Sequence, residues 1–313
     1  MKVGIYDVDS KIPNLALMKL SAHHKEQGDK VETYSPLFKN EYDKIYASKI
    51  FNFSDPSMLD DERMEIGGTG YDIKKNLPDH IENLVPDYSL YNFPHSIGFT
   101  QRGCRLRCDF CVVPEKEGKV KGVKTIDEIW TQRDSNFVIL LDNDFFGNPE
   151  WRERIEEIKE YKLRVSFNQG LNIRNLKEEQ AQALASVHFT NSKGTFRQVH
   201  FAWDDARHEK LIHKGIKTCM EAGIKPYQMA FYVLIGYNST PEEDYHRVQV
   251  LKDYGCDPYV MVYNKKDFYQ VRFQRYVNNR AIFNSVDWQD YNSSIKNRYK
   301  QTGDPNQLEM AWI

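Results

Sequence analysis

From His95 onward the chain alternates short apolar stretches with helical patterns at a period of about thirty residues, and few folds accommodate that rhythm. Strands are predicted over 97–101, 136–141, 163–167, 198–203, 227–235 and 259–263. Helices fill the gaps. One begins at Thr125, where Thr125 and Glu128 have capping-box spacing, and another runs from Asn148-Pro149 through Tyr161. Asn175 with Glu178 opens a third through Val187, Ala206 to Ala222 reads as a fourth, and Thr240-Pro241-Glu242-Glu243 opens a fifth that stops near Gly255. Asn136 to Leu141 is continuously apolar, as in parallel strands covered on both faces. Six such units predict a six-unit (β/α)6 partial TIM barrel over residues 93–266, with its site at the C-terminal ends of the strands.

Residues 1–92 read as a small Rossmann-like α/β domain and linker. Lys2 to Val8 is a strand, Pro13 opens a helix at its first-turn position, and 31–34 and 44–51 are further strands. Gly67-Gly68-Thr69-Gly70 lacks a clear preceding strand and a following helix, so a tight turn is expected there and not a phosphate loop. Asp79 to Pro94 reads as the linker. Residues 267–313 form a C-terminal extension in which cations, Lys296, Arg298 and Lys300 among them, alternate with aromatics such as Phe273, Trp288 and Tyr299. That mixture suits nucleic acid, or simply packing over the open edge of an incomplete barrel, and packing is the favoured reading.

Three of the five cysteines lie in one loop after the first barrel strand, as Cys104-x-x-x-Cys108-x-x-Cys111, with Phe110 directly before the third. Three thiolates this close can hold three corners of a four-iron cluster, which ordinarily takes four cysteines, and so leave one iron open. A zinc-dependent binding module is the competing reading. Structural zinc sites take four ligands, and here His95 would have to join the three cysteines. Cys219 and Cys256 are too distant in sequence to help. Clustered cysteines without an export signal point to metal ligation in a reducing compartment. The first residues are acidic where a signal peptide would be apolar, and no apolar run is long enough to span a bilayer, so no membrane partner and a cytoplasmic location are expected. A formal net charge of −2 gives no overall pull toward nucleic acid.

The cysteine spacing, the aromatic before the last cysteine and the predicted barrel resemble the radical S-adenosylmethionine (SAM) superfamily. Residues 1–92 resemble a shortened form of the cobalamin-binding-like domain that precedes many of its barrels. The resemblance implies a [4Fe–4S] cluster on Cys104, Cys108 and Cys111, with SAM on the open iron and an external one-electron donor such as flavodoxin or ferredoxin. Reductive cleavage of SAM would release a 5′-deoxyadenosyl radical that abstracts hydrogen from a substrate. No cobalamin is expected, because the Asp-x-His-x-x-Gly motif of some such domains is missing. The cobalamin-dependent radical SAM methyltransferase and the nucleic-acid-modifying radical SAM enzyme are the alternative subclasses.

The strand ends supply the remaining candidates. Asp142, Asn143 and Asp144 resemble the motif after the second strand in this branch, which implies that Asp142 or Asp144 accepts a hydrogen bond from the SAM amino group. Asn168, Gln169 and Asp204 are expected at the carboxylate and ribose by strand position. Tyr232 to Gly236 would back the adenine, and Phe110 would cover the cluster. Arg102, Arg105 and Arg107 make the loop basic, which would raise the potential of an anionic cluster. Asn and Asp at strand ends equally serve as turns and caps.

Overall fold

The computed structural model describes residues 1–59 and 61–291. The protein is α/β with parallel sheets and divides into two compact units, Met1–Leu163 and Arg164–Ile313. Among the described residues no helix is long and apolar enough to cross a membrane.

The first unit opens with β1 (Lys2–Asp7), α1 (Leu15–Glu26), β2 (Lys30–Thr33), β3 (Lys44–Ser48) and β4 (Met64–Gly67). The strands form one parallel sheet in the order β2-β1-β3-β4. Asn14 caps α1 by accepting the Leu17 N–H at 3.3 Å, so Pro13 lies outside the helix and not in its first turn. Leu17 and Leu20 pack with Val3, Ile5 and Tyr46, while Met18 enters a second core with Ile97, Phe137 and Ile139. Burial of each such side chain contributes roughly 1.5–3 kcal/mol.

β4 is a strand that its sequence does not announce: it is a half-exposed edge, and Glu65 interrupts its apolar residues. A strand therefore does run into the glycine stretch, ending at Gly67, contrary to expectation. The chain then turns, with Gly68 at φ +97° against the Lys49 backbone and the Tyr71 N–H donating to the Gly68 carbonyl at 3.0 Å. The next helix is α2 (Asp79–Glu82), inside the predicted linker.

Next come β5 (Ser96–Gly98), β6 (Gln101–Arg102), α3 (Val113–Lys116), β7 (Lys121–Gly122), α4 (Ile126–Ile129), β8 (Phe137–Leu140) and α5 (Trp151–Glu160). β5 and β8 are parallel, with Ile97 opposite Ile139, whereas β6 and β7 are antiparallel. Thr125 and Glu128 form both arms of the predicted capping box. α5 starts at Trp151 because Asn148 uses its side chain one turn earlier, accepting the Glu150 N–H at 3.1 Å.

The second unit contains β9 (Arg164–Phe167), α6 (Glu178–Ser186), β10 (His188–Phe189), β11 (Val199–Ala202), α7 (Glu209–Glu221), β12 (Met229–Ile235), α8 (Pro241–Tyr254), β13 (Asp257–Val262), α9 (Phe268–Asn278) and α10 (Arg280–Ser285). β9 pairs with β10, and β11-β12-β13 form a sheet; every pairing is parallel. The two-residue β10 is too short to be read from a pattern. Lys177, not Asn175, is the N-cap of α6. Thr240 caps α8 as predicted, and Gly255 ends it at φ 77°. In the extension, Phe273 and Tyr276 are buried, Trp288 meets Phe273 edge-on at 5.0 Å, and Arg272 lies over Trp288 at 4.4 Å. Its described aromatics therefore pack on one another. Lys296, Arg298, Tyr299 and Lys300 lie outside the described residues.

Candidate functional site

The cysteine loop leaves the C-terminal end of β5 and is closed at its neck by the β6–β7 pair, where Gln101 faces Gly122 and Arg102 faces Lys121. Gly103 makes this neck possible. Its φ is +76°, and a Cβ there would collide with the Lys119 carbonyl. The Cys104 N–H reaches the Gly118 carbonyl at 3.4 Å, and the Cys111 N–H turns back onto the Cys108 carbonyl at 2.9 Å. All three cysteines are partly accessible and none is in a disulfide.

Burial first, and then the nearby Asp144, Cys111 and Cys108, push the Cys104 thiol up to about 11 against the opposing Leu106 N–H. The thiols are thus close enough to feel one another's charge. Among the described residues, however, no three His, Cys, Asp or Glu side chains converge on a point as ligands of one ion do. A four-iron cluster makes a different demand, because each thiolate meets a different iron. Three thiols outside any disulfide, on one half-exposed loop, are a donor set that fits such a group. His95 is elsewhere, before the start of β5, with Nδ1 2.8 Å from Ser135 Oγ and its ring edge-on to Phe137.

The end of β8 organises the loop. Asp142 is 5% exposed, and its Oδ1 accepts the N–H groups of Thr100 at 2.7 Å and Gln101 at 3.2 Å, while the Thr100 hydroxyl donates to Oδ2. Burial lifts its carboxyl to about 7 although these three donors oppose the shift. Asp144, 2% exposed, takes a two-pronged contact from Arg105, Nε at 2.7 Å and Nη2 at 2.9 Å, plus the Arg105 N–H at 3.1 Å. Gly147 must be glycine here, because a Cβ would run into this ion pair. Asn143 donates to Glu117 Oε2 at 2.7 Å, and Glu117 also binds Arg102 at 2.8 Å and the Gly103 N–H at 3.0 Å. Arg102 additionally pairs with Glu82 at 3.0 Å.

Asp142, Asn143 and Asp144, expected around a SAM amino group, are thus all engaged with the cysteine loop. Arg102 and Arg105, expected to lend the loop positive charge, are paired with carboxylates, and Arg107 alone of the three stays exposed without an ion pair among the described residues. Phe110 sits half-buried in the turn between Cys108 and Cys111. Thr100, Gln101, Glu117 and Gly147 were not anticipated. The only sequence signal for them was Glu117 closing a loop rich in arginine.

Asp144 also offers a direct test. Asp144→Ala should speed alkylation of Cys104 at mildly alkaline pH, since it both releases Arg105 and removes a charge that disfavours the thiolate. An unchanged rate, followed by mass spectrometry of the labelled peptide, would show that this pair does not restrain the loop.

In the second unit, Asn168 and Gln169 form the turn after β9, and the Asn168 carbonyl accepts the Tyr232 hydroxyl at 3.4 Å. Asp204 follows β11. Burial raises its carboxyl, opposed by the Leu234 N–H and by Arg174 and Arg247. Gly236 ends β12 at φ +73°, and the space beside it is filled by Gln270, whose Oε1 accepts the Asn264 N–H at 2.9 Å. Arg247 is fully buried and donates to the Trp203 and Leu234 carbonyls at 2.8 and 2.9 Å and to Asp244 at 2.6 Å. It joins the ends of β11 and β12, where Asp204 and Gly236 lie. Cys219 and Cys256 are buried, with thiols pushed up to about 12, as inert core residues are.

The chain matches no known protein-family model, and no curated protein matches it.

Proposed function

We propose that this chain is a radical SAM enzyme in which Cys104, Cys108 and Cys111 hold a [4Fe–4S] cluster and the strand–helix units form a six-unit partial barrel. The observation that carries the reading is the anchored loop itself. Three thiols leave the C-terminal end of a parallel strand, and residues at the end of its neighbouring parallel strand hold that loop in place. Ligands in parallel α/β sheets bind at this end of the strands. When bound, the cluster would supply the electron that cleaves SAM, from which the radical that takes hydrogen from the substrate derives.

The protein's own residues have simpler tasks. Asp142 holds the loop at Thr100 and Gln101, Asp144 holds it at Arg105, and Glu117 ties its two ends. Phe110 shields the turn between the second and third thiols. The reading needs no cobalamin. What supports this is the mouth of the N-terminal sheet between β1 and β3, which is bridged by Asp9 accepting the Ile50 and Phe51 N–H groups and by Asn14 donating to Ser48.

Anaerobic reconstitution followed by assay for 5′-deoxyadenosine tests the proposal. The protein should gain one four-iron cluster and cleave SAM on reduction. Cys104→Ala, Cys108→Ala and Cys111→Ala should each abolish both, whereas Cys219→Ala and Cys256→Ala should retain both. Stoichiometric zinc in place of iron in protein prepared without oxygen would refute it.

A further inference from the structure

We propose that residues 69–82 form a two-point clasp on the cysteine loop, with Thr69 and Glu82 as positioning residues for its thiols. The inference rests on the reading of that loop as a ligand holder. It assigns a task to the glycine-rich turn after β4 and to α2, which the proposed function leaves without one.

Glu82 makes the first point. Its Oε1 accepts Lys19 Nζ at 2.8 Å and Arg102 Nη2 at 3.0 Å, so one carboxylate oxygen joins α1 to the neck of the loop. Both flanks are fixed. Lys19 is buried, and Ile81, the neighbour of Glu82, packs with Val3, Ile5, Leu17 and Leu20. On the other side Arg102 lies over the Phe99 ring at 3.7 Å and binds Glu117, which accepts the Gly103 N–H. Desolvation pushes the Glu82 carboxyl up, but Lys19 and Arg102 outweigh it and hold the group below its ordinary value.

Thr69 makes the second point. Its hydroxyl accepts Lys116 at the end of α3, and Lys116 forms no ion pair among the described residues. Burial pushes the Lys116 ammonium down against the pull of Glu117, as befits a cation with few acceptors. The turn can present Thr69 because Gly68 and Gly70, on either side, press on the backbones of Lys49 and Phe51, where a Cβ would collide. All of these residues belong to the first unit. Supports of this kind, outside the donor set, fix the geometry that the donors offer.

Amide hydrogen exchange on the full-length protein in EDTA tests the clasp, because each point protects its own set of N–H groups. Glu82→Gln should speed exchange at Gly103 and Cys104 by about tenfold or more, the usual effect of losing a hydrogen bond to a charged group. Thr69→Val should do the same at Lys116 and Glu117, whose N–H groups bond to the Val112 and Val113 carbonyls. Thr69→Ser, which keeps the hydroxyl, should match the parent. Peptides of β12, in the second unit, should exchange at the parent rate in every variant. Glu82→Gln also strands the Lys19 ammonium, so Lys19→Met/Glu82→Gln should regain stability and keep the fast neck. Parent-like exchange of the loop in either Glu82→Gln or Thr69→Val would overturn the clasp. So would an equal rise in β12, which marks a merely structural role. Because the readout is the loop's own amides, failure to take up iron would refute the proposed function and leave this result standing.

Discussion

Arg247→Ala should destabilise the protein by about 3–5 kcal/mol, the usual effect of breaking a fully buried ion pair. The side chains of Arg247 and Asp244 are 0% and 1% exposed, and the guanidinium is the hydrogen-bond donor to the two strand-end carbonyls. Its removal leaves those carbonyls and the Asp244 carboxylate buried with fewer donors, Ser239 remaining for the carboxylate at 2.7 Å. Asp204 should titrate higher still, because a cation that opposes its upward shift is gone. Asp244→Ala/Arg247→Ala should be destabilised by less than the sum of the single changes, since the second removal deletes a group already unpaired. Denaturant titration of the four proteins of this cycle provides the measurement. Additive effects would show that the two residues act independently.

Asp142 should make stability depend on pH, and in a direction unusual for an acid. Its carboxyl is raised from 3.8 to about 7, so between those values the folded chain keeps a proton that the unfolded chain has lost. Stability therefore falls as pH rises through that window and levels off above about 7. The full shift corresponds to about 4 kcal/mol. Asp142→Asn imitates the protonated carboxyl, with Oδ1 accepting the two N–H groups and Nδ2 facing the Thr100 hydroxyl. It should match the parent near pH 5 and exceed it near pH 8. Asp142→Ala strands two buried N–H donors at about 1–3 kcal/mol each and should be the less stable protein throughout. A gap between parent and Asn variant that does not widen from pH 5 to pH 8 would contradict this account.

Local chemistry was legible in the sequence. Thr125 with Glu128 and Thr240 with Glu243 cap helices as read, and Gly255 ends one, because a cap is decided by residues within one turn of each other. The long apolar strands were found to within about two residues for the same reason. β4 was missed because an edge strand is half-solvated and tolerates Glu65. The partners of the site carboxylates were also hidden. Asp142 meets Thr100 across forty-two residues and Asp144 meets Arg105 across thirty-nine, and no short-range pattern encodes such pairings. A carboxylate at a strand end looks the same in sequence whether it faces a ligand or holds a neighbouring loop.

The neck formed by β6 and β7 has a thermodynamic consequence. Pinning Gln101–Arg102 to Lys121–Gly122 closes the cysteine segment into a ring, so much of its configurational entropy is lost on folding itself. If the thiols hold the proposed cluster, it would bind a restricted ensemble, and the free energy of uptake would carry a smaller ordering penalty. Affinity would accordingly respond to residues that never touch the ligand. Opening the ring at Gly103 would weaken uptake with every sulfur still in place.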